Sequence, residues 1–413
     1  MKDRLSTATR RTPPRSWLPF YFSLLNIFAS IFLFQACSSS GTGDPADSDD
    51  LVVYQLQIID SMEIPVQGRL HVYDYLEDKG LYLADLQPDQ HVILFDDRGA
   101  LQHRITSSKE IPGGWPENIR GVGFVGDTAV AVLGLKAFYI YRLDGSFIKS
   151  YPHLPLPPIN ISEKRQVKLV PLKDSLHLVS NFIHFGQAPA IERLFFETAK
   201  QLTAVNLDDG TYKYLGSYDP EGVYLKSKES YPLTNNGMYF DYSPAKDSFW
   251  LLTAGGDFLY SYDLDNFSSY HTRYPTFAEH KRPPQRRSYG KYSYASSEEA
   301  MKNIRLRSGY EGLWVKEDTA LLTYSTGLKD ISLNDDLTFE EWRSRSHLLE
   351  DRYLQMLARG EKICKDIKVP IPCGHLSSFQ GKNKILFKAE VRIMRAEPKG
   401  ERIYICRLGK VEH

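Results

Sequence analysis

Apolar runs of five to seven residues recur along this chain, and a tight turn separates each from a second run. The turns are Asp97-Arg98-Gly99, Asp144-Gly145, Asp209-Gly210, Asp265-Asn266, Arg359-Gly360 and Leu408-Gly409. Most carry residues that tolerate the positive φ of a hairpin loop, and β-branched and aromatic residues flank them. Upstream of the hairpins a small polar pair announces another apolar run: Asp127-Thr128, Asp174-Ser175, Asp247-Ser248 and Asp318-Thr319. Repetition of one all-β unit predicts a ring or a stack rather than a two-layer fold.

Parsed as four-stranded units, the first blade uses Arg69 to Tyr75, Leu81 to Asp85, His91 to Phe95 and Ala100 to Ile105. The second uses Ile119 to Val125, Thr128 to Leu133, Ala137 to Leu143 and Ser146 to Tyr151. The third runs from Gln166 to Tyr218, the fourth from Gly237 to Tyr274 and the fifth from Gly309 to Val369. The sixth offers three strands, near His375 to Phe379, Lys384 to Glu390 and Arg402 to Cys406. Too little chain follows for a fourth, and the unused run Leu51 to Ile59 supplies it. The expectation is an all-β fold, a six-bladed β-propeller over 51–413 whose N-terminal strand closes the last blade and removes the open edges.

Loop lengths are then informative. First-to-second-strand turns and third-to-fourth hairpins are short. The long segments lie between blades (106–118, 152–165, 219–236, 275–308) or between second and third strands (182–200, 325–351). In a four-stranded meander both kinds reach the same face of the disc, so one face carries the elaborated loops, where function concentrates. Within them, Thr338 and Glu341 fit a capping box for a short helix over Asn334 to Glu350. Lys281 to Arg287, followed by Tyr289, Tyr292 and Tyr294, is a basic aromatic loop, read first as solvated surface and second as a grip for an anionic head group or glycan.

The N-terminus changes the picture. Residues 1–36 hold Lys2, Arg4, Arg10, Arg11 and Arg15 against Asp3, a net charge of +4, ahead of the apolar stretch Trp17 to Ala36. This predicts a signal peptide over 1–36, with an uncleaved helix anchor as the alternative. Leu33-Phe34-Gln35-Ala36-Cys37 fits a lipoprotein processing site, which makes Cys37 the lipidated residue and membrane lipid a partner. A flexible acidic tether, 37–50, follows. The expected location is the outer membrane or cell envelope, extracytoplasmic.

The chain as a whole is formally neutral, with 51 basic and 51 acidic residues, and the signal segment carries the only marked excess of positive charge. A body with no basic field excludes nucleic acid as a partner. Aromatics at 13% suit strands. The remaining cysteines, Cys364, Cys373 and Cys406, allow a Cys364–Cys373 disulfide or three small buried side chains, and their spacing fits no zinc pattern. No metal site and no cofactor are expected, and no linear catalytic motif is present.

Propeller sites are assembled from the inner strands of different blades. Polar residues that start innermost strands or end second ones are therefore the candidates for a ligand: Arg120, Arg305, Arg307, His375, Asn181 and His184. Arg120 and Arg305 belong to opposite blades of a six-membered ring.

The Ala36-Cys37 site, the Asp-Ser/Thr openings and the hairpins Tyr141-Arg142-Leu143-Asp144-Gly145 and Val205-Asn206-Leu207-Asp208-Asp209-Gly210 together resemble an uncharacterised family of Bacteroidetes-type lipoproteins with a TolB-like six-bladed propeller. The resemblance covers the mature chain and implies no activity. The expected function is a binding or scaffold module that holds an envelope protein, a peptide or a glycan on its loop face. The alternative is a propeller enzyme, a glycan hydrolase or lyase acting on an extracellular polymer.

Overall fold

The structure is a computed structural model. It describes residues 51–106, 115, 118–134, 136–152, 166–173, 175–181, 193–222, 224–226, 229–230, 238–264, 270–276, 278–279, 287–288, 308–328, 341, 350–390 and 400–411. The signal segment, the tether, Cys37, the Asp265-Asn266 turn and nearly all of the basic loop and the 334–350 helix lie outside those residues.

Six antiparallel sheets follow one another along the chain, each stepping from an innermost to an outermost strand. Blade one comprises Arg69–Leu76, Leu81–Gln87, His91–Asp96 and Leu101–Thr106. Blade two comprises Gly121–Val125, Ala129–Leu133, Ala137–Arg142 and Phe147–Pro152. Blade three is Val167–Leu172, Ser175–Ser180, Lys200–Asn206 and Tyr212–Ser217. Blade four is Met238–Ser243, Ser248–Thr253, Phe258–Tyr262 and Thr272–Pro275.

In blade five, Gly309–Lys316, Thr319–Leu328 and Glu350–Ala358 are regular. Two short strands, Glu361–Lys362 and Ile367–Lys368, share its outer position. Blade six is Cys373–Phe379, Ile385–Ala389 and Glu401–Lys410, with Tyr54–Ile64 outermost. The fold is the six-bladed propeller expected, closed by its N-terminal strand.

The long apolar runs have a direct cause: the middle strands bury both faces, each against a different neighbouring blade. In blade one, Val92 and Leu94 pack toward blade two, while Ile93 and Phe95 pack toward blade six. In blade four, Leu251 packs on blade three, and Trp250 and Leu252 pack on blade five. Six such apolar seams, one per blade junction, complete the ring. The hairpins follow from local chemistry. Asp144 Oδ1 accepts the Ser146 N–H at 2.8 Å, and Asp209 Oδ1 accepts that of Thr211 at 2.8 Å, which makes both turns Asx turns.

Two expectations need correcting. The closing strand is Tyr54–Ile64 rather than Leu51 to Ile59, because a bulge at Ile58–Asp60 moves its useful apolar positions downstream. One extra residue flips the side-chain alternation. Leu56 therefore faces the blade five seam, while Met62 and Ile64 face blade one, and Ile58 and Ile59 are left exposed. Leu408-Gly409 is no hairpin: both lie within Glu401–Lys410, opposite Leu56 and Gln55. Of the two readings of the body cysteines the structure has the second: all three are free and buried, with no Cys364–Cys373 disulfide, and the close pair is Cys373 and Cys406, with sulfurs 4.0 Å apart.

Candidate ligand cup

At the loop end of the central axis the ring encloses a cavity of about 710 Å³. Its walls are the residues that a meander places at that end, namely the starts of innermost strands and the ends of second strands. Blade one contributes Gly68 to Tyr73, blade five Glu311, Gly312 and Trp314, and blade six Gly374 to Ser377. Gln166 precedes blade three, Tyr239 begins blade four, Asn181 follows the second strand of blade three, and Lys388 to Glu390 end that of blade six. On the same face, the segments that follow blades three and four pair with each other through the short strands Glu229–Ser230 and Arg287–Ser288.

The charged groups of the wall are organised in pairs. Lys388 Nζ sits 3.0 Å from Glu401 Oε2 and donates to the Leu70 carbonyl at 3.0 Å, while Glu401 Oε1 accepts the Leu70 N–H at 3.3 Å. Burial holds the Lys388 ammonium below its ordinary range, and the attraction of Glu401 offsets only part of this. The Arg352 guanidinium stands between two carboxylates, 3.2 Å from Glu311 Oε2 and 4.0 Å from Glu390 Oε2. His375 Nδ1 lies 3.9 Å from Glu311 Oε2. Protein surrounds this ring, yet 68% of its side-chain surface opens to the cavity. Burial first, and then the Arg352 charge, push its pKa below the usual histidine value, so the imidazole is neutral near pH 7. Across the cup, His71 Nδ1 faces the fully buried Asp85 carboxylate at 3.4 Å.

The aromatic part of the wall depends on a glycine. Blade five has a bulge between Tyr310 and Gly312, and the Trp314 indole lies over Gly312. A Cβ at that position would sit 2.2 Å from indole carbons, so the ring can lie against the strand only above a residue without a side chain.

Below the cup a charged side chain reaches across the axis. Lys168 of blade three reaches Asp74 of blade one at 2.8 Å and Asp241 of blade four at 3.4 Å, and those two blades are opposite in the ring. The carboxylates also hold the backbones of neighbouring blades. Asp241 Oδ2 accepts the Val315 N–H at 2.8 Å, and Asp74 Oδ2 accepts that of Phe124 at 3.5 Å. Burial opposes the Lys168 charge, but Asp241 and Asp74 outweigh it and keep the ammonium above its ordinary range. Burial raises the Asp241 carboxyl in turn, with Lys168 pulling the other way. The clamp spans the central axis between opposite blades.

Of the candidates read from sequence, His375 and Asn181 line this cup. The Asn181 side chain is committed to joining blades: its Oδ1 accepts the Gln166 N–H at 3.0 Å, and its Nδ2 donates to the Met238 carbonyl at 2.6 Å. Arg120 heads blade two half-buried, its backbone N–H donating to Leu133 O at 2.8 Å, and it is not part of the cup wall. Arg305, Arg307 and His184 lie outside the described residues. Arg69, Glu311, Trp314, Lys388, Glu390 and Glu401 were not singled out in the sequence. Several obey the same positional rule, which reads more candidates than it can rank. Among the described residues, no group of His, Cys, Asp and Glu is arranged to hold a metal ion. Nor is any helix among them long and apolar enough to cross a membrane.

No family model matches the chain, and no curated protein matches it in sequence. Among solved structures it is similar to a member of the DUF4221 family from Bacteroides vulgatus, with 13% identity, 87% of this chain and 99% of that one covered, and a TM-score of 0.66. It is also similar to a protein from Bacteroides fragilis, provisionally assigned as exported, with 10% identity, 89% and 98% coverage and a TM-score of 0.50. At such identities the likeness is one of fold alone.

Proposed function

We propose that this is a cell-envelope lipoprotein, held to the membrane through acylated Cys37 and the tether 37–50, whose propeller binds a ligand in the cup on its loop face. The observation that carries this reading is the cup itself. A cavity of about 710 Å³ falls within the size range of small-ligand sites, and it combines an aromatic wall with a few convergent charges. It opens where the elaborated loops gather, so a larger protein, peptide or glycan presenting a terminal group to the cup would also meet those loops. Anchoring rests on the Ala36-Cys37 processing site and on the resemblance to envelope lipoproteins.

The carboxylates Glu311 and Glu390 in one cup give the second reading, a glycan hydrolase or lyase, its specific support. Both share Arg352, an arrangement that suits positioning groups better than an acid–base pair. The test is purification of the full chain from its native envelope in mild detergent, with mass spectrometry of what stays bound. A stoichiometric companion displaced by substitutions at His375 supports binding. A clean, ligand-free protein that cleaves an envelope or extracellular glycan refutes it in favour of the enzyme.

A further inference from the structure

The charges of the cup balance in number but are unevenly paired: Arg69, Arg352 and Lys388 stand among Glu311, Glu390 and Glu401. Each carboxylate of its wall has a cation of the protein beside it: Arg352 serves Glu311 and Glu390, and Lys388 serves Glu401. One cation remains. Arg69 opens the innermost strand of blade one at the cup entrance, its side chain is exposed, and it makes no hydrogen bond or ion pair among the described residues. Its field reaches Lys388, whose ammonium it helps to hold below the ordinary range. A guanidinium left free beside a cavity offers a planar, two-pronged site that matches one carboxylate.

The remaining wall constrains what carries that carboxylate. Trp314 and Tyr239 supply ring surface. Gln166 uses its amide oxygen to accept the Phe240 N–H at 2.8 Å, and its amide nitrogen stays available to the cavity. His375 is neutral and largely open, able to donate or accept. Such a wall suits a ring with hydroxyl groups. A phosphate dianion would meet three carboxylates with, among the described residues, Arg69 alone unpaired to receive it, and a cationic peptide would meet Arg69 itself.

Resting on the reading of the cup as a binding site, we infer that it receives a sugar residue bearing a single carboxylate, with the carboxylate on Arg69 and the sugar ring against Trp314. The full chain in detergent is titrated calorimetrically with oligosaccharides that end in glucuronic acid, with the same oligosaccharides ending in glucose, and with an N-acetylated acidic dipeptide. The acidic sugar binds about tenfold tighter than its neutral counterpart, the scale of one charged hydrogen-bonded contact. Arg69→Gln, a surface change that leaves the fold intact, abolishes that difference without altering the affinity for the neutral sugar. Trp314→Phe weakens both sugars.

Equal affinity for the two sugars, an unaffected Arg69→Gln variant or no sugar binding up to millimolar concentration overturns the inference, and so does a preference for the dipeptide. Protection of His375 from diethyl pyrocarbonate separates the two levels of argument. If a native-envelope extract freed of acidic sugars protects it, the cup binds something else and only this inference falls. If nothing protects it, the binding reading falls as well.

Discussion

Replacing Lys168 with methionine keeps the length of the side chain and removes the charge that spans the axis. At an effective dielectric near 20, ion pairs at 2.8 and 3.4 Å attract by about 6 and about 5 kcal/mol. Desolvation of three charges and repulsion between the carboxylates cancel most of this, and removing one member of a buried pair costs about 3–5 kcal/mol. Lys168, Asp74 and Asp241 keep 20%, 17% and 8% of their side-chain surface open, so the expected loss falls at the lower end, about 3 kcal/mol. Spread over a ring of this size, that lowers the melting temperature by about 4 °C.

The loss should also depend on pH. Asp241 already ionises above its ordinary value in the folded protein, so ionising it costs stability as pH rises through the interval between its unfolded and folded pKa. Without Lys168 that interval widens upward and the cost grows. The difference between wild type and variant is therefore largest above neutral pH and shrinks on acidification, as Asp241 takes up its proton. The Lys168 contribution itself is lost only where its raised pKa is crossed, far above the range assayed. Urea unfolding of both proteins from pH 8 down to pH 4 measures this, and adding Asp74→Asn and Asp241→Asn to the variant should recover part of the loss. A difference that is flat across that range, or below about 0.5 kcal/mol, refutes the claim that Lys168 compensates two buried carboxylates.

Other outcomes follow from single contacts. Ile64→Ala removes a fully buried side chain from the seam that closes the ring and should cost about 2–5 kcal/mol by denaturant titration. Gly312→Ala pushes a methyl group into the Trp314 indole. It should destabilise by about 1–3 kcal/mol and shift tryptophan emission, whereas an unchanged spectrum would show that the ring does not lie on that strand. His375 has a lowered folded pKa, so its share of stability is present above its unfolded value and is lost as pH falls through the folded one. His375→Gln should then flatten the stability profile below about pH 6.5, as read by thermal melts. Cys37→Ala should abolish incorporation of radiolabelled acyl chains and release the protein from the membrane fraction.

The sequence makes the ring readable because burial on two faces writes itself as uninterrupted apolar runs such as Ala129–Leu133, with Asp-Gly pairs marking the hairpins between them. Counting strands was enough to show that the last blade lacked one. The bulge at Ile58–Asp60 left no such mark, since Ile58 and Ile59 look as apolar as residues that pack. Gly409 misled for the opposite reason: a residue typical of turns stands in a strand, with Gln57 lying over it. The cup was the least legible part, because Arg69, Glu311, Lys388 and Glu401 meet only when the first, fifth and sixth blades are neighbours in space. Trp314 stands in an apolar run with nothing in the sequence to separate it from core residues, and it is partly buried against the blade five seam. Nothing local marks Lys168, whose partners Asp74 and Asp241 are distant in sequence.

The seam between the first and last strands also sets an order in time. Gln57 bonds Arg407 across 350 residues of chain, so the ring has no closed form until the C-terminal strand exists. Blades one to five find their partners within short stretches and can condense as they are made, whereas the sixth waits for both ends. A chain still being synthesised, or cut before Glu401, would keep the edge of Ile385–Ala389 bare and Tyr54–Ile64 unpaired, the condition in which β-proteins aggregate. Closing the propeller thus works as a completeness check: only a chain that includes its last strand can bring blades one, five and six together for good.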